Sequence, residues 1–141
     1  MVGEKESTED REKGKGTKLL VVDDDSGTRE LLRELLLEEG HKVKVAQNGK
    51  EALEWVTKET FDLVLTDLGM PEMGGIQLLK TLQRISPDMR VIVVTGRADL
   101  EARARVKGPG AYDYVTKPFH PYTILEKVAR ALGREDNKKR R

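Results

Sequence analysis

Five short runs of apolar, β-prone residues recur along the chain, separated by segments with helical periodicity. The runs are "KLLVVD", "HKVKVA", "DLVLTD", "RVIVVT" and "AYDYV", each of strand length and bounded by acidic or turn-forming residues. The first, third and fourth are nearly continuous in Leu, Val and Ile, as central strands covered on both faces are. "HKVKVA" alternates and suits an edge. Between the runs, Leu31, Leu32, Leu35 and Leu36 form a stripe over Gly27 to Glu39, with Gly40 placed as a left-handed C-cap. "NGKEALEWV" opens with Asn48 and has Glu51 three residues on, a capping box with Ala52, Leu53 and Val56 inward. Ile76, Leu79, Leu82 and Ile85 mark a third helix, closed by Pro87. A fourth, Asp99 to Lys107, is short and weakly apolar and is broken by "GPG". A fifth starts near Pro121 and runs through Ile124, Leu125, Val128 and Leu132 to Gly133.

Strand–helix alternation repeated five times predicts an α/β domain, an open, doubly wound parallel sheet with helices on both faces. Such sheets carry their sites outside the carboxyl ends of the strands. That rule gathers scattered residues onto one edge. Asp23, Asp24 and Asp25 end the first strand, Asp67 the third and Thr95 the fourth, and Lys117 follows the fifth.

The ends of the chain differ from its middle. Of 141 residues, 36% are charged and 37% hydrophobic. Residues 1–17 are nearly all charged, Gly, Ser or Thr, so they read as a disordered arm unable to offset its ordering entropy by burial. Residues 133–141 read as a basic tail or linker stub, leaving 18–132 as one domain. The terminal "KKRR" suits a solvated tail better than a nucleic-acid or membrane contact, because net charge is only +1. There are no cysteines, so disulfide and thiol chemistry are excluded. No apolar run approaches the ~18 residues of a membrane span and no signal-peptide pattern opens the chain, so a cytoplasmic location is expected.

Three consecutive aspartates repel one another. Helix capping accounts for one of them, Asp25 or its neighbour Ser26. Capping does not account for Asp67 and Lys117 on neighbouring strands. Carboxylates beside one another are tolerable when they share a divalent cation, and hard Mg²⁺ takes such oxygens together with phosphate oxygens. Lys117 offsets further charge.

The segments "LLVVDDDS", "LVLTDLGMPEMGG", "VIVVTG" and "YVTKPF", in this order and spacing, resemble the response-regulator receiver domain of two-component signalling over essentially all of residues 18–132. The resemblance implies a flavodoxin-like (βα)5 fold with strand order 2-1-3-4-5. It implies that Asp67 is the phosphoacceptor for a phosphohistidine on a sensor histidine kinase or phosphotransfer protein. Asp23 and Asp24 match the acidic pair that, with Asp67 and the backbone carbonyl of Gly69, binds Mg²⁺ or Mn²⁺. Lys117 matches the lysine that pairs with a phosphoryl oxygen. Thr95 matches the hydroxyl that turns toward the phosphoryl group, and Tyr114 the aromatic residue that follows it. A tyrosine on a strand also serves simply as a half-buried packing group. A homodimer through helix 4, strand 5 and helix 5, and an output domain beyond the C-terminus, are further implications.

Departures from the family pattern carry their own expectations. Gly74 stands where the family often has Asp or Asn, which predicts a structural consequence. Gly69 offers no side chain to influence attacking water, and Arg97 is placed to contact or screen a phosphoryl group. Together they predict slow loss of phosphate. Arg103, Arg105 and Lys107 make helix 4 basic, and Pro109 with its glycine neighbours is expected to loosen its end. Trp55 reads as a packing residue, and His41 and His120 are too isolated for a metal set. The competing readings are a phosphorylation-independent interaction module, disfavoured by the intact set Asp23, Asp24, Asp67, Thr95 and Lys117, and a Mg²⁺-dependent phosphatase, which would need a second acid near Asp67 and a cap. An autonomous DNA-binding regulator lacks the length for a helix-turn-helix after Leu132. Beyond self-phosphorylation, no enzymatic activity is expected.

Overall fold

The computed structural model describes residues 16–106 and 110–133. Most of the charged arm, the tail beyond Gly133 and positions 107–109, with the expectations attached to them, lie outside the described residues. The elements alternate as β1 (Lys18–Val22), α1 (Ser26–Glu38), β2 (Lys42–Ala46), α2 (Gly49–Lys58), β3 (Leu63–Thr66), α3 (Gly75–Ile85), β4 (Arg90–Thr95), α4 (Ala98–Val106), β5 (Asp113–Thr116) and α5 (Pro121–Ala131). The strands form one parallel sheet in the order β2-β1-β3-β4-β5.

Alternation along the strands divides the core into two layers. Leu19, Val21, Leu63, Leu65, Ile92 and Val94 face Leu32 and Leu36 of α1 and Ile124 and Val128 of α5. On the other face, Leu20, Val22, Val64 and Val91 meet Ala52 of α2 and Leu78, Leu79 and Leu82 of α3. A smaller cluster of Leu68, Val93 and Ala104 carries α4. Edge strand β2 keeps Lys42 and Lys44 exposed, as its alternating pattern predicts.

Local signals set the helix ends. Gly40 sits at φ +94, and the N–H groups of Gly40 and His41 donate to the carbonyls of Leu37 and Leu36, closing α1 as a Schellman motif. Asn48 accepts from the Glu51 N–H at 2.8 Å, while Glu51 reaches back to the Gln47 N–H, one residue before the partner an ordinary capping box uses. His120 caps α5 through Nδ1, with Pro121 at its first position. Gly74, the departure from the family pattern, is the N-cap of α3 and provides no side-chain cap.

Two helix stripes differ from expectation. Ile85 is 48% exposed, and the buried face of α3 is Gly75, Leu78, Leu79 and Leu82. Ile76 and Ile85 are nine positions apart, two and a half turns at about 3.6 residues per turn, so both cannot face the sheet. In α1, Leu31 lies at the flank of the stripe and is 46% exposed, leaving Leu32 and Leu36 as its buried centre.

Candidate functional site

The sheet register builds the site. The Asp67 N–H continues the β1–β3 ladder to the Val22 carbonyl, and the Asp23 N–H continues β1–β2 to Ala46. Asp23 and Asp67 are thereby held on adjacent strands, each one residue beyond the last paired position. Of the three consecutive aspartates, Asp25 turns away: it caps α1, accepting from the Thr28 N–H and hydroxyl at 2.8 and 2.7 Å. Those two bonds hold its carboxyl below the ordinary aspartate range. Asp23, Asp24 and Asp67 remain, and one carboxylate oxygen from each lies within 4.8 Å of the others.

Lys117, brought in from the end of β5, bridges the two buried members. Its ammonium donates to Asp23 Oδ2 at 2.9 Å and to Asp67 Oδ2 at 3.1 Å. Burial raises the Asp23 pKa, and the hydrogen bonds from Lys117 and the Asp25 N–H only partly oppose it. Burial likewise works to lower the Lys117 pKa, but Asp23 and Asp67 outweigh it and the net direction is up. The other oxygen of Asp67 accepts from the Leu68 N–H at 2.6 Å and lies 3.5 Å from the Gly69 nitrogen. A hard-oxygen donor set this close, with one buried carboxylate resisting ionisation, fits a divalent cation better than it fits isolated acids.

The remaining predicted residues surround this centre at different ranges. Thr95 is buried at the end of β4, where its hydroxyl oxygen accepts from the Arg97 N–H at 3.1 Å. Arg97 pairs with Asp99. Tyr114 stands apart from the carboxylates: its ring is half-buried against the α4 cluster beneath Arg105, and its hydroxyl accepts from the Ala111 N–H.

Three supports had no signal specific enough to single them out in the sequence. Arg29 donates to the Asp23 carbonyl at 2.7 Å, anchoring the turn between β1 and α1. Gly75 packs so tightly that a Cβ there would collide with the Asp67 carbonyl oxygen. Asp99 is the third. Clefts of about 460 Å³ (lined by Gln47 and Trp55, among others) and about 650 Å³ (by Leu37 and Lys42) include neither Asp67 nor Lys117.

With this geometry in place, the family can be stated. The chain belongs to the response regulator receiver domain family, whose model matches residues 19–129. It is 40% identical over 120 residues to sporulation initiation phosphotransferase F of Bacillus subtilis, an alignment covering 85% of this chain and 97% of that protein. It is 34% identical to the DNA-binding transcriptional regulator NtrC of Azospirillum brasilense, covering 82% of this chain but only 24% of that longer protein. Among solved structures, a CheY-like receiver domain from Methanospirillum hungatei superposes with a TM-score of 0.79 at 33% identity, covering 87% of this chain and 98% of that one. The response regulator TrrA of Thermotoga maritima, in complex with Mg²⁺–BeF, gives 0.75 at 34% identity, covering 82% and 99%. The fold, with its 2-1-3-4-5 order, is that of these receivers. Among the described residues, no helix is long and apolar enough to cross a membrane.

Proposed function

We propose that the chain is a phosphorylatable receiver that takes a phosphoryl group from a histidine kinase or phosphotransfer protein onto Asp67 and changes conformation in response. The observation that carries this reading is Lys117 joined to Asp23 and Asp67 at 2.9 and 3.1 Å beside a third carboxylate. In the transfer, an Asp67 carboxylate oxygen attacks phosphorus, the P–N bond to the donor imidazole breaks, and its electron pair stays on that nitrogen. Phosphoryl transfer asks the protein for alignment and charge neutralisation rather than covalent help. Asp23, Asp24, Asp67 and the Gly69 carbonyl would hold Mg²⁺ or Mn²⁺, which when bound would neutralise charge on the transferring oxygens. Lys117 exchanges a carboxylate partner for a phosphoryl oxygen. Thr95 donates its hydroxyl proton to another, and Tyr114 follows the space that Thr95 vacates.

The new acyl phosphate adds about −1.5 to −2 charge, by analogy with other phosphoryl groups near neutral pH, and this differential interaction shifts the conformational balance. The receiver modifies only itself and turns over no external substrate. It works in the cytoplasm, and its output passes to a partner protein or to a further domain, as the length of NtrC illustrates. A homodimer through α4, β5 and α5 is part of this reading, supported by the exposure of Tyr122 on α5.

Intact mass after incubation with acetyl phosphate and Mg²⁺ tests the proposal. A single phosphoryl adduct is expected, dependent on Mg²⁺ and absent from Asp67→Asn. A folded protein that gains no adduct from acetyl phosphate or from a phosphohistidine donor would instead be an interaction module.

A further inference from the structure

The loop that follows Asp67 is held in an unfavourable shape from outside the carboxylate cluster. Its base is closed by the Gly75 N–H on the Leu68 carbonyl at 2.9 Å, and its tip by the Met73 N–H on the Pro71 carbonyl at 2.9 Å. The tip bond spans a single residue, Glu72, whose φ is +62. A turn this tight with a positive φ is the rare and strained kind of three-residue turn. Glutamate has neither the freedom of glycine nor the local hydrogen bonding of asparagine to ease it there. Glu72 is exposed, so burial of its own side chain does not hold it in place. Strain of this kind persists only where the surroundings over-determine it.

The surroundings are the first turn of α2. The Gly49 N–H, a donor that an isolated helix leaves without a partner, donates to the Met73 carbonyl at 3.1 Å. The approach is close: a Cβ on Gly49 would lie 2.7 Å from the Met73 carbonyl oxygen and 2.8 Å from Met73 Cγ. Gly49 is itself buried, and Met70 and Met73 pack in the core layer to which Ala52 of α2 belongs. Gly69 lies within the same loop, two residues after Asp67 and one before Met70.

Resting on the receiver reading above, we infer that Gly49 is a positioning residue: its bare Cα seats Met73 on the N-terminus of α2, holds the loop in its strained turn and so keeps the Gly69 carbonyl in place for a divalent cation shared with Asp23, Asp24 and Asp67. A carbonyl ligand has no rotamers with which to adjust, so its position is the position of its loop. Mg²⁺ tolerates little departure from octahedral geometry, which makes a backbone ligand sensitive to any shift of the segment that carries it. A methyl group on Gly49 would force either α2 or the loop to give way. Alanine is intrinsically the better helix former, so a loss on this substitution comes from the contact and not from the helix. Gly49 touches neither the carboxylates nor the metal and acts through Met73.

Calorimetric titration of the metal-free protein with Mg²⁺, together with amide hydrogen exchange in EDTA, tests this. Gly49→Ala should weaken Mg²⁺ binding about tenfold, the lower end of what supports of metal ligands contribute. It should also speed exchange at the Met73 N–H, whose bond closes the turn. Leu82→Ala, a core change two turns along α3 from the loop, should leave Mg²⁺ affinity within about twofold, which separates positioning from a general loss of stability. Should Gly49→Ala fail to fold, Met73→Ala keeps both backbone bonds and removes only the side chain that seats the loop, and should weaken Mg²⁺ binding about threefold. Unchanged Mg²⁺ affinity in folded Gly49→Ala, or in Met73→Ala where the first variant does not fold, would overturn the inference and leave the receiver reading intact. An equal loss in Leu82→Ala would do the same. A wild-type protein that binds no Mg²⁺ and forms no adduct with acetyl phosphate would overturn the receiver reading itself, and this inference with it.

Discussion

α3 and α4 follow the two strands whose ends carry Asp67 and Thr95, yet they are attached to the sheet in different ways. α3 buries Gly75, Leu78, Leu79 and Leu82 against one core layer. α4 contributes Ala104 and the half-buried Leu100 to a small cluster, and its other contacts include the ion pairs of Arg105 with Glu101 and, at its start, of exposed Arg97 with Asp99. Buried leucines are each worth several times an exposed ion pair. The helix after Asp67 is therefore fixed by packing. The helix after Thr95 is held by contacts that exchange at little cost, and under the proposed receiver role that is where a conformational response would find its freedom.

The largest expected effect breaks α3. Leu82→Ala should cost about 3 kcal/mol in urea denaturation, whereas Leu100→Ala in α4 should cost about 1 kcal/mol. Equal losses would remove the distinction between the helices. Gly75→Ala should cost about 2 kcal/mol, because the new methyl group meets the Asp67 carbonyl and either Asp67 or α3 has to shift. It should also reduce adduct formation, as an overpacked site remote from Asp67 would not.

The third prediction concerns charge. Asp23 ionises less readily in the folded state than unfolded, so in metal-free protein the stability it allows is highest below the ordinary aspartate range. That stability declines as pH rises through the raised folded value. The Lys117 contribution is lost in the same direction but in another window: its raised value gives stability present through neutral pH and lost only in the alkaline range. Asp23→Asn should accordingly raise the melting temperature at neutral pH in EDTA, flatten the decline above the aspartate range and abolish the rise produced by Mg²⁺. Thermal melts against pH, with and without metal, measure all three. The smallest effect belongs to α4. Arg105→Ala removes the pair with Glu101 and the stack on Tyr114 and should cost under about 1 kcal/mol.

The strands and the edge that carries the site were legible because burial on both faces demands nearly unbroken Leu, Val and Ile, and because one carboxyl edge collects every strand end. Asp23, Asp24, Asp67 and Lys117 could be brought together on those grounds alone. Helix faces were less legible. A run of apolar residues three apart drifts around the helix, so Ile85 was counted inward although Leu78 occupies the core. Supports made by backbone were hidden for a different reason. The carbonyl that receives Arg29 and the collision that requires Gly75 depend on chain paths set by tertiary packing. Asp99 marks only the start of the fourth helical segment in the sequence, and its fork with Arg97 is visible in the structure alone.

The ammonium of Lys117 reaches a carboxylate 94 positions earlier in the chain. Between them lie the remaining strands, and the contact forms only after β1, β3, β4 and β5 have taken their places side by side. Loop closure over that distance comes late in assembly, since its entropy has to be offset by contacts already made. A nascent or truncated chain that has lost β5 retains the aspartates but lacks the cation that joins them. Under the proposed receiver role, a chain made only as far as β4 holds the three carboxylates without the ammonium, and its site stays unassembled until Lys117 has been made.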